Sequence, residues 1–386
     1  MSGPQDSRAG GGQSRVSSGA LREPPAGRDL AAAIVPFPNR RRLSMKAMLL
    51  RSLGPLSESP EPLELADVPD PTPGPGELLV RVTACGVCHT ELDEIEGRLP
   101  PPVLPVIPGH QAVGRVVARG PGTTGFVDGD RVGVPWIHSA CGSCEACREG
   151  QENLCAHFVG TGRDVNGGYA ELIKVPAAFA HAIPRTFSDA EAAPLLCAWA
   201  IGYRSLWLTG LEDGDRLGLT GFGASGHLVL KMARHRMPYT DVYVFARSPA
   251  EREFALDLGA AWAGDTTDTP PAPLHAIIDT TPAWTPVVEG LGNLMPGGRL
   301  VINAIRKEHH DQDALLGLDY PSHIWMEKEI KSVANVARRD VSEFLALAAE
   351  ANLRPEVEEF PLADANRALV ELKERNVRGA KVLRLD

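Results

Sequence analysis

From Met45 to about Ala180 apolar and polar residues alternate in short runs: MKAMLLR, ELLVRVTACG, AVGRVVARG, DRVGVPW and GGYAELIKV. Clusters of Gly, Pro and Asp punctuate them. A period of two sends successive side chains to opposite faces of a strand, so this stretch predicts a strand-rich, barrel-like domain. After Ser188 the pattern turns helical. Ser188 can cap a helix, with Glu191 three residues on completing a capping box. LGLTGFGASGHLVLKMARHR then reads as a strand, a glycine turn and a helix. Strand and helix patterns go on alternating through VYVFARS, HAIIDTT and GGRLVINAI, which predicts βαβ units and a parallel sheet. Past about Asn335 a helical stretch, SEFLALAAEA, leads to a last strand, KVLRLD.

Residues 1–44 lack this periodicity. Gly, Ser, Pro and Arg dominate them, so a disordered extension is expected. Their Arg- and Ser-rich, acid-poor composition would also suit an organelle transit peptide. The chain of 386 residues is too long for one ordinary core, and two domains are expected. No apolar run approaches the roughly 20 residues of a membrane span. A formal charge of −10 offers no basic surface for nucleic acid. Seven irregularly spaced cysteines suggest metal ligands in a reducing compartment, and a cytoplasmic location is expected.

Four of those cysteines form Cys141-x2-Cys144-x2-Cys147-x7-Cys155. Four thiolates on one short lobe can close a tetrahedron around zinc with no open position, which is a structural site. Disulfides are the alternative, but neighbouring pairs would close small strained loops, and nothing else suggests secretion.

Cys88 and His110 lie 22 positions apart, and the turn Pro108-Gly109 presents the histidine ring. A third zinc ligand must come from far along the chain, and Cys197 in APLLCAWAIG is the best candidate. Two cysteines and one histidine leave a tetrahedral zinc one position open, the catalytic arrangement. Taken singly, Cys88 and Cys197 could be buried thiols and His110 a turn histidine. The turn GFGASG sets Gly221, Gly223 and Gly226 in G-x-G-x-x-G spacing between a strand, Arg216 to Thr220, and an apolar helix. That is the context a dinucleotide fingerprint requires; a structural glycine loop is the alternative.

In this order, GVCHTEL, PGHQAVGRVV, GDRVGV, the four-cysteine lobe, APLLCA and GFGASG resemble the zinc-dependent alcohol dehydrogenases of the medium-chain dehydrogenase/reductase family. The resemblance runs from Met45 to the C-terminus. It implies an α/β chain: a GroES-like catalytic domain, 45–197 with 335–386, around an inserted Rossmann domain, 198–334. It assigns Cys88, His110 and Cys197 to a catalytic zinc and the four-cysteine lobe to a structural one, two zinc ions per subunit. Cys85 is left as a packed thiol. Gly221, Gly223, Ala224, Ser225 and Gly226 would bind a nicotinamide dinucleotide. The implied reaction interconverts small alcohols and aldehydes or ketones by hydride transfer, zinc acting as a Lewis acid and Thr90 accepting the alcohol proton. A homo-oligomer, dimer or tetramer, is expected, with no nucleic-acid or membrane partner.

Two positions depart from the family pattern. Gln111 stands where many relatives have Glu beside the zinc histidine, which puts the ligand-exchange step in question. Asp93 replaces the histidine at the solvent end of the proton relay; it could accept a proton there or be a solvated surface carboxylate. Counting back from Leu258-Gly259-Ala260, the acidic position that selects NAD falls on Ala246, and Arg247 and Ser248 follow. With no carboxylate to repel a 2′-phosphate, NADP(H) is expected over NAD(H). Otherwise Arg247 stacks on adenine or points to solvent and both cofactors serve. A zinc-free quinone reductase and a non-catalytic nucleotide sensor are the rival functions. His309-His310 reads as a solvated loop, and Trp136 and Trp199 as core or cleft residues.

Overall fold

The computed structural model describes residues 44–374 and 379–385, so the expectation for residues 1–44 lies outside the described residues except at Ser44, which opens the first strand. Both predicted sheet types are present. The larger antiparallel sheet runs Val357–Pro361, Ala380–Arg384, Glu77–Val87, Ala112–Arg119, Arg131–Val134 and His181–Ala182, with Leu172–Pro176 also pairing on Glu77–Val87. Only Val357–Pro361 and Ala380–Arg384 pair in parallel. Along Glu77–Val87 the alternate residues Leu78, Val80, Val82 and Ala84 are buried, as a period of two requires.

The second sheet is parallel throughout, in the order Trp262–Gly264, Asp241–Phe245, Arg216–Thr220, Leu274–Asp279, Leu294–Ile302, Glu329–Ser332. Helices Ala224–Arg236, Pro249–Asp257 and Thr285–Asn293 connect its strands. Its central strands are buried nearly end to end, which is why they read as apolar runs rather than alternations. The chain builds outward from Arg216–Thr220 in one direction, then returns to add Leu274–Asp279 on the other side. That reversal opens a crevice at the strands' carboxyl ends.

The helix expected after Ser188 is capped by Ser188 and Glu191, and it comes in three pieces: Asp189–Pro194, a π turn over Leu195–Trp199, and Ala200–Thr209. The wider π turn carries Cys197. Among the described residues no helix is long and apolar enough to cross a membrane.

Candidate active site and metal centres

The antiparallel ladder of Glu77–Val87 and Ala112–Arg119 brings Cys88 and His110 together. Cys85 pairs with Ala112 at its end, and Gly86 N donates to Gln111 O at 3.1 Å. Cys88 and His110 therefore leave the same end of one strand pair. Gly109 makes the turn into His110 with φ +101°, and a Cβ there would lie 2.4 Å from Tyr169 Cδ1, so no other residue fits. The π turn adds Cys197. His110 Nε2 lies 3.1 Å from Cys197 Sγ, and the donor atoms of Cys88, His110 and Cys197 all lie within 4.8 Å of one another.

A residue the sequence reading passed over holds this set. Glu91 lies fully buried on helix His89–Ile95, its Oε1 2.6 Å from His110 Nδ1, while its Oε2 accepts from Cys88 N at 2.9 Å. One carboxylate thus fixes the imidazole, turning Nε2 toward the thiols, and the backbone of a second donor residue. Burial works against a charged His110, but the Glu91 carboxylate lifts the imidazole well above its ordinary range. The neighbouring Cys197 thiol draws Cys88 well below the usual thiol value, and the same contact with burial pushes Cys197 well above it. Two neighbouring thiols with an oriented imidazole beside them suit a soft divalent metal.

Thr90 is buried, with its Oγ1 3.7 Å from Cys88 Sγ. Trp136 meets His110 edge-on with ring centroids 5.0 Å apart, so it shields this site, whereas Trp199 packs toward Phe344. Cys85 is a buried core thiol that burial pushes up, away from thiolate chemistry. Gln111 is buried, its side-chain oxygen lying where a Cβ on Gly86 would come within 2.4 Å.

The surface-carboxylate reading of Asp93 is overturned. Its side chain is 5% exposed and accepts from Arg98 Nε at 2.6 Å and from Arg306, because one guanidinium from its own segment and one from 213 positions away fold over it. Beneath the same arginine, Glu96 is held at about 2: burial raises it, and Lys373, Arg98 and the Leu56 N–H outweigh that. His309 and His310 lie exposed, as expected of a solvated loop.

The four cysteines of the lobe have their sulfurs within 4.8 Å of one another, and all are free thiols. Cys141 Sγ and Cys147 Sγ are 3.8 Å apart, far beyond a disulfide bond. A tetrahedron with 2.3 Å metal–sulfur bonds has edges of about 3.8 Å, so the lobe fits zinc. Backbone N–H groups of Ser143 and Cys144 bring Cys141 down to about 5, and burial pushes Cys147 up to about 12.

In the crevice Gly221 has φ +79°, and a Cβ on it would meet Thr280 Oγ1 and Thr281 Cγ2, each at 2.8 Å. At Gly226 a Cβ would lie 2.7 Å from Gly221 O, so the helix start packs on the turn. Space around Gly223 is open. The turn thus leaves room for a ligand over the N-terminus of helix Ala224–Arg236, where an anion is favoured. Ser225 follows in its first turn. Ala246 is buried and Arg247 exposed, while Ser248 Oγ accepts from Glu251 N at 3.4 Å as a helix cap.

Residues 74–185 match the alcohol dehydrogenase GroES-like domain family. The chain is 44% identical over 345 residues to the Mycobacterium tuberculosis protein named "Probable alcohol dehydrogenase AdhA", covering 88% of this chain and 97% of that one. It is 34% identical over 339 residues to an alcohol dehydrogenase of Geobacillus stearothermophilus, covering 86% and 98%. Among solved structures it is similar to the cobalt- and zinc-bound thermostable alcohol dehydrogenase of Pyrobaculum aerophilum, with TM-score 0.74, 27% identity, and 89% and 100% of the two chains covered.

Proposed function

The chain belongs to the zinc-type alcohol dehydrogenases of the medium-chain dehydrogenase/reductase family, and from that membership we propose a zinc-dependent enzyme that prefers NADP(H). One observation carries the reading: Cys88, His110 and Cys197 converge from three distant segments with the metal-facing nitrogen of His110 set by Glu91. When bound there, zinc would supply a Lewis acid for the substrate oxygen, and the dinucleotide a hydride acceptor or donor.

The remaining work falls to side chains. Cys88, His110 and Cys197 would hold the catalytic metal and leave one side open; Cys141, Cys144, Cys147 and Cys155 would hold a second ion and pin their polar loop. Thr90 would orient the alcohol and take its proton, and Asp93, three residues on, would receive that proton. Trp136 keeps water from the back of the imidazole. Gly221, Gly223 and Gly226 would admit the dinucleotide's diphosphate, with Ala224 and Ser225 presenting backbone N–H groups. At Ala246 no carboxylate stands to repel a 2′-phosphate, and exposed Arg247 can reach one. Because Ser248 already caps a helix, the preference would rest mainly on Arg247.

The substrate would be a small alcohol, aldehyde or ketone bound between a GroES-like part (45–197, 335–386) and a Rossmann part (198–334). Seven free thiols suit a reducing cytoplasm. The sheet edge Glu329–Ser332, with Leu316, Tyr320, Trp325 and Ile330 exposed nearby, supports a homo-oligomer. The reading is tested by following NADPH oxidation with a panel of aldehydes before and after chelation. Turnover by zinc-free protein, or none with any aldehyde or ketone, would refute it.

A further inference from the structure

The two halves of the molecule meet through charges that the reaction above uses only in part. Asp93, on helix His89–Ile95, is gripped by Arg98 from the same segment and by Arg306 from the nucleotide-binding half. Arg306 sits in the loop after strand Leu294–Ile302. Its neighbour Lys307 fastens that loop: the ammonium is buried against Asp279 and donates to Thr281 O at 2.9 Å and Ala283 O at 2.8 Å. Glu308 N donates to Pro282 O at 2.7 Å. The backbone under Arg306 is thus fixed to the parallel sheet while its guanidinium crosses to the catalytic helix. A cavity of about 460 Å³ opens beside it, lined by His89, Glu96, Arg98, Arg306 and Lys373 among others.

Three of those cations face two carboxylates. Arg98 bridges Asp93 and Glu96, Lys373 reaches Glu96 at 2.6 Å, and Arg306 reaches Asp93 alone. If Arg306 leaves, Asp93 keeps Arg98 and Glu96 keeps Lys373, so no buried carboxylate is stranded without a partner. Arg306 is the surplus cation, and its side chain is 40% exposed to the cavity and solvent.

Its position says what it could meet instead. A dinucleotide lies across the carboxyl ends of the parallel strands, its diphosphate at the glycine turn after Arg216–Thr220. The adenosine ribose falls toward Asp241–Phe245. Arg306 follows Leu294–Ile302, two strands away in the opposite direction, on the nicotinamide side. A guanidinium grips phosphate through two parallel hydrogen bonds, as it does a carboxylate. We propose that Arg306 is a ligand for the nicotinamide-side phosphate of the cofactor, held on Asp93 until the dinucleotide arrives and transferred from carboxylate to phosphate on binding. This rests on the dinucleotide reading above. The transfer leaves Asp93 with Arg98 only, so cofactor binding resets the charge next to Thr90.

Fluorescence and calorimetric titrations of the zinc-loaded protein test this with two half-cofactors. Reduced nicotinamide mononucleotide carries the phosphate in question; AMP carries only the adenosine-side one. Arg306→Ala should weaken the mononucleotide about tenfold or more and AMP less than about twofold. Asp93→Asn should tighten the mononucleotide several-fold, because the competing carboxylate is gone. Arg306→Lys, which keeps the charge but not the fork, should fall between Arg306→Ala and the unmodified protein. A salt bridge that merely braced the two halves would shift Arg306→Ala and Asp93→Asn in the same direction. That result, or equal losses for both ligands in Arg306→Ala, overturns the proposal. NADPH and mononucleotide binding unchanged in every variant overturns it alone, and failure of NADPH to bind unmodified protein overturns the dinucleotide reading with it.

Discussion

Glu91→Gln isolates the group that orients the imidazole of the proposed metal site. The carboxylate and His110 are both essentially inaccessible, with side chains 0% and 1% exposed. Its two oxygens meet two donors, Cys88 N at 2.9 Å and His110 Nδ1 at 2.6 Å. An amide has the same shape but only one acceptor oxygen. Whichever way it flips, its NH₂ faces one of the two donors, so either the hydrogen bond from Cys88 N or the ion-pair contact with His110 is lost and a buried N–H is left opposed. A hydrogen bond to a charged group contributes about 1.5–3 kcal/mol. At about 1.4 kcal/mol per decade, zinc held by Cys88, His110 and Cys197 should bind roughly 10- to 150-fold more weakly. Competition with a chromophoric chelator measures this directly, and the four-cysteine lobe, untouched by the change, serves as an internal standard. An open-site zinc affinity within about twofold of the unmodified protein would refute the assignment of Glu91 as the orienting group.

Four further outcomes are expected. Cys197→Ser should lose both turnover and one zinc while still binding cofactor, whereas Cys85→Ser should keep both metals; metal analysis of the two proteins separates ligand from packed thiol. Arg247→Ala should raise KM for NADPH more than for NADH, and an unmodified enzyme preferring NADH would sink the NADP(H) reading. Ile330→Lys, on the exposed sheet edge, should shift light-scattering mass toward a single chain; an unchanged mass would place the subunit contact elsewhere. Burial and the nearby Arg338 hold His181 down at about 4, so between pH 6.5 and 4 the unfolded chain takes up a proton that the folded one refuses. Stability should fall as pH drops through that window, and His181→Gln should flatten the fall in denaturant midpoints.

Much of the site could be read from sequence because its parts are local: the glycine turn and the four-cysteine lobe are each spelled within a few residues. Cys88 and His110 required one inference, a strand pair between them, and the ladder at Cys85 and Ala112 supplies it. Glu91 carries a legible signal. Its spacing from Cys88 is that of Glu191 from Ser188, and both pairs begin helices in the same way. Asp93 was not legible. Its partner Arg306 lies 213 positions away, and no short-range pattern reports that two halves of a chain will bring a carboxylate and a guanidinium together. The π turn at Leu195–Trp199 was equally hidden, since APLLCAWAIG is apolar at nearly every position and shows no periodicity for an extra residue to shift.

The antiparallel sheet also sets a schedule for biosynthesis. Strand Ala380–Arg384 lies between the Ala84–Val87 end of Glu77–Val87 and Val357–Pro361, so the end that delivers Cys88 keeps an open edge until nearly all the described chain has been made, although Leu172–Pro176 covers the Glu77–Arg81 end earlier. At 5–20 residues per second the ribosome needs about 15–60 s to cover that interval. The parallel sheet, finished at Ser332, can form while that edge still waits. The nascent protein should therefore complete its parallel sheet before its antiparallel one, and truncations before Ala380 should engage chaperones through the exposed Ala84–Val87 edge.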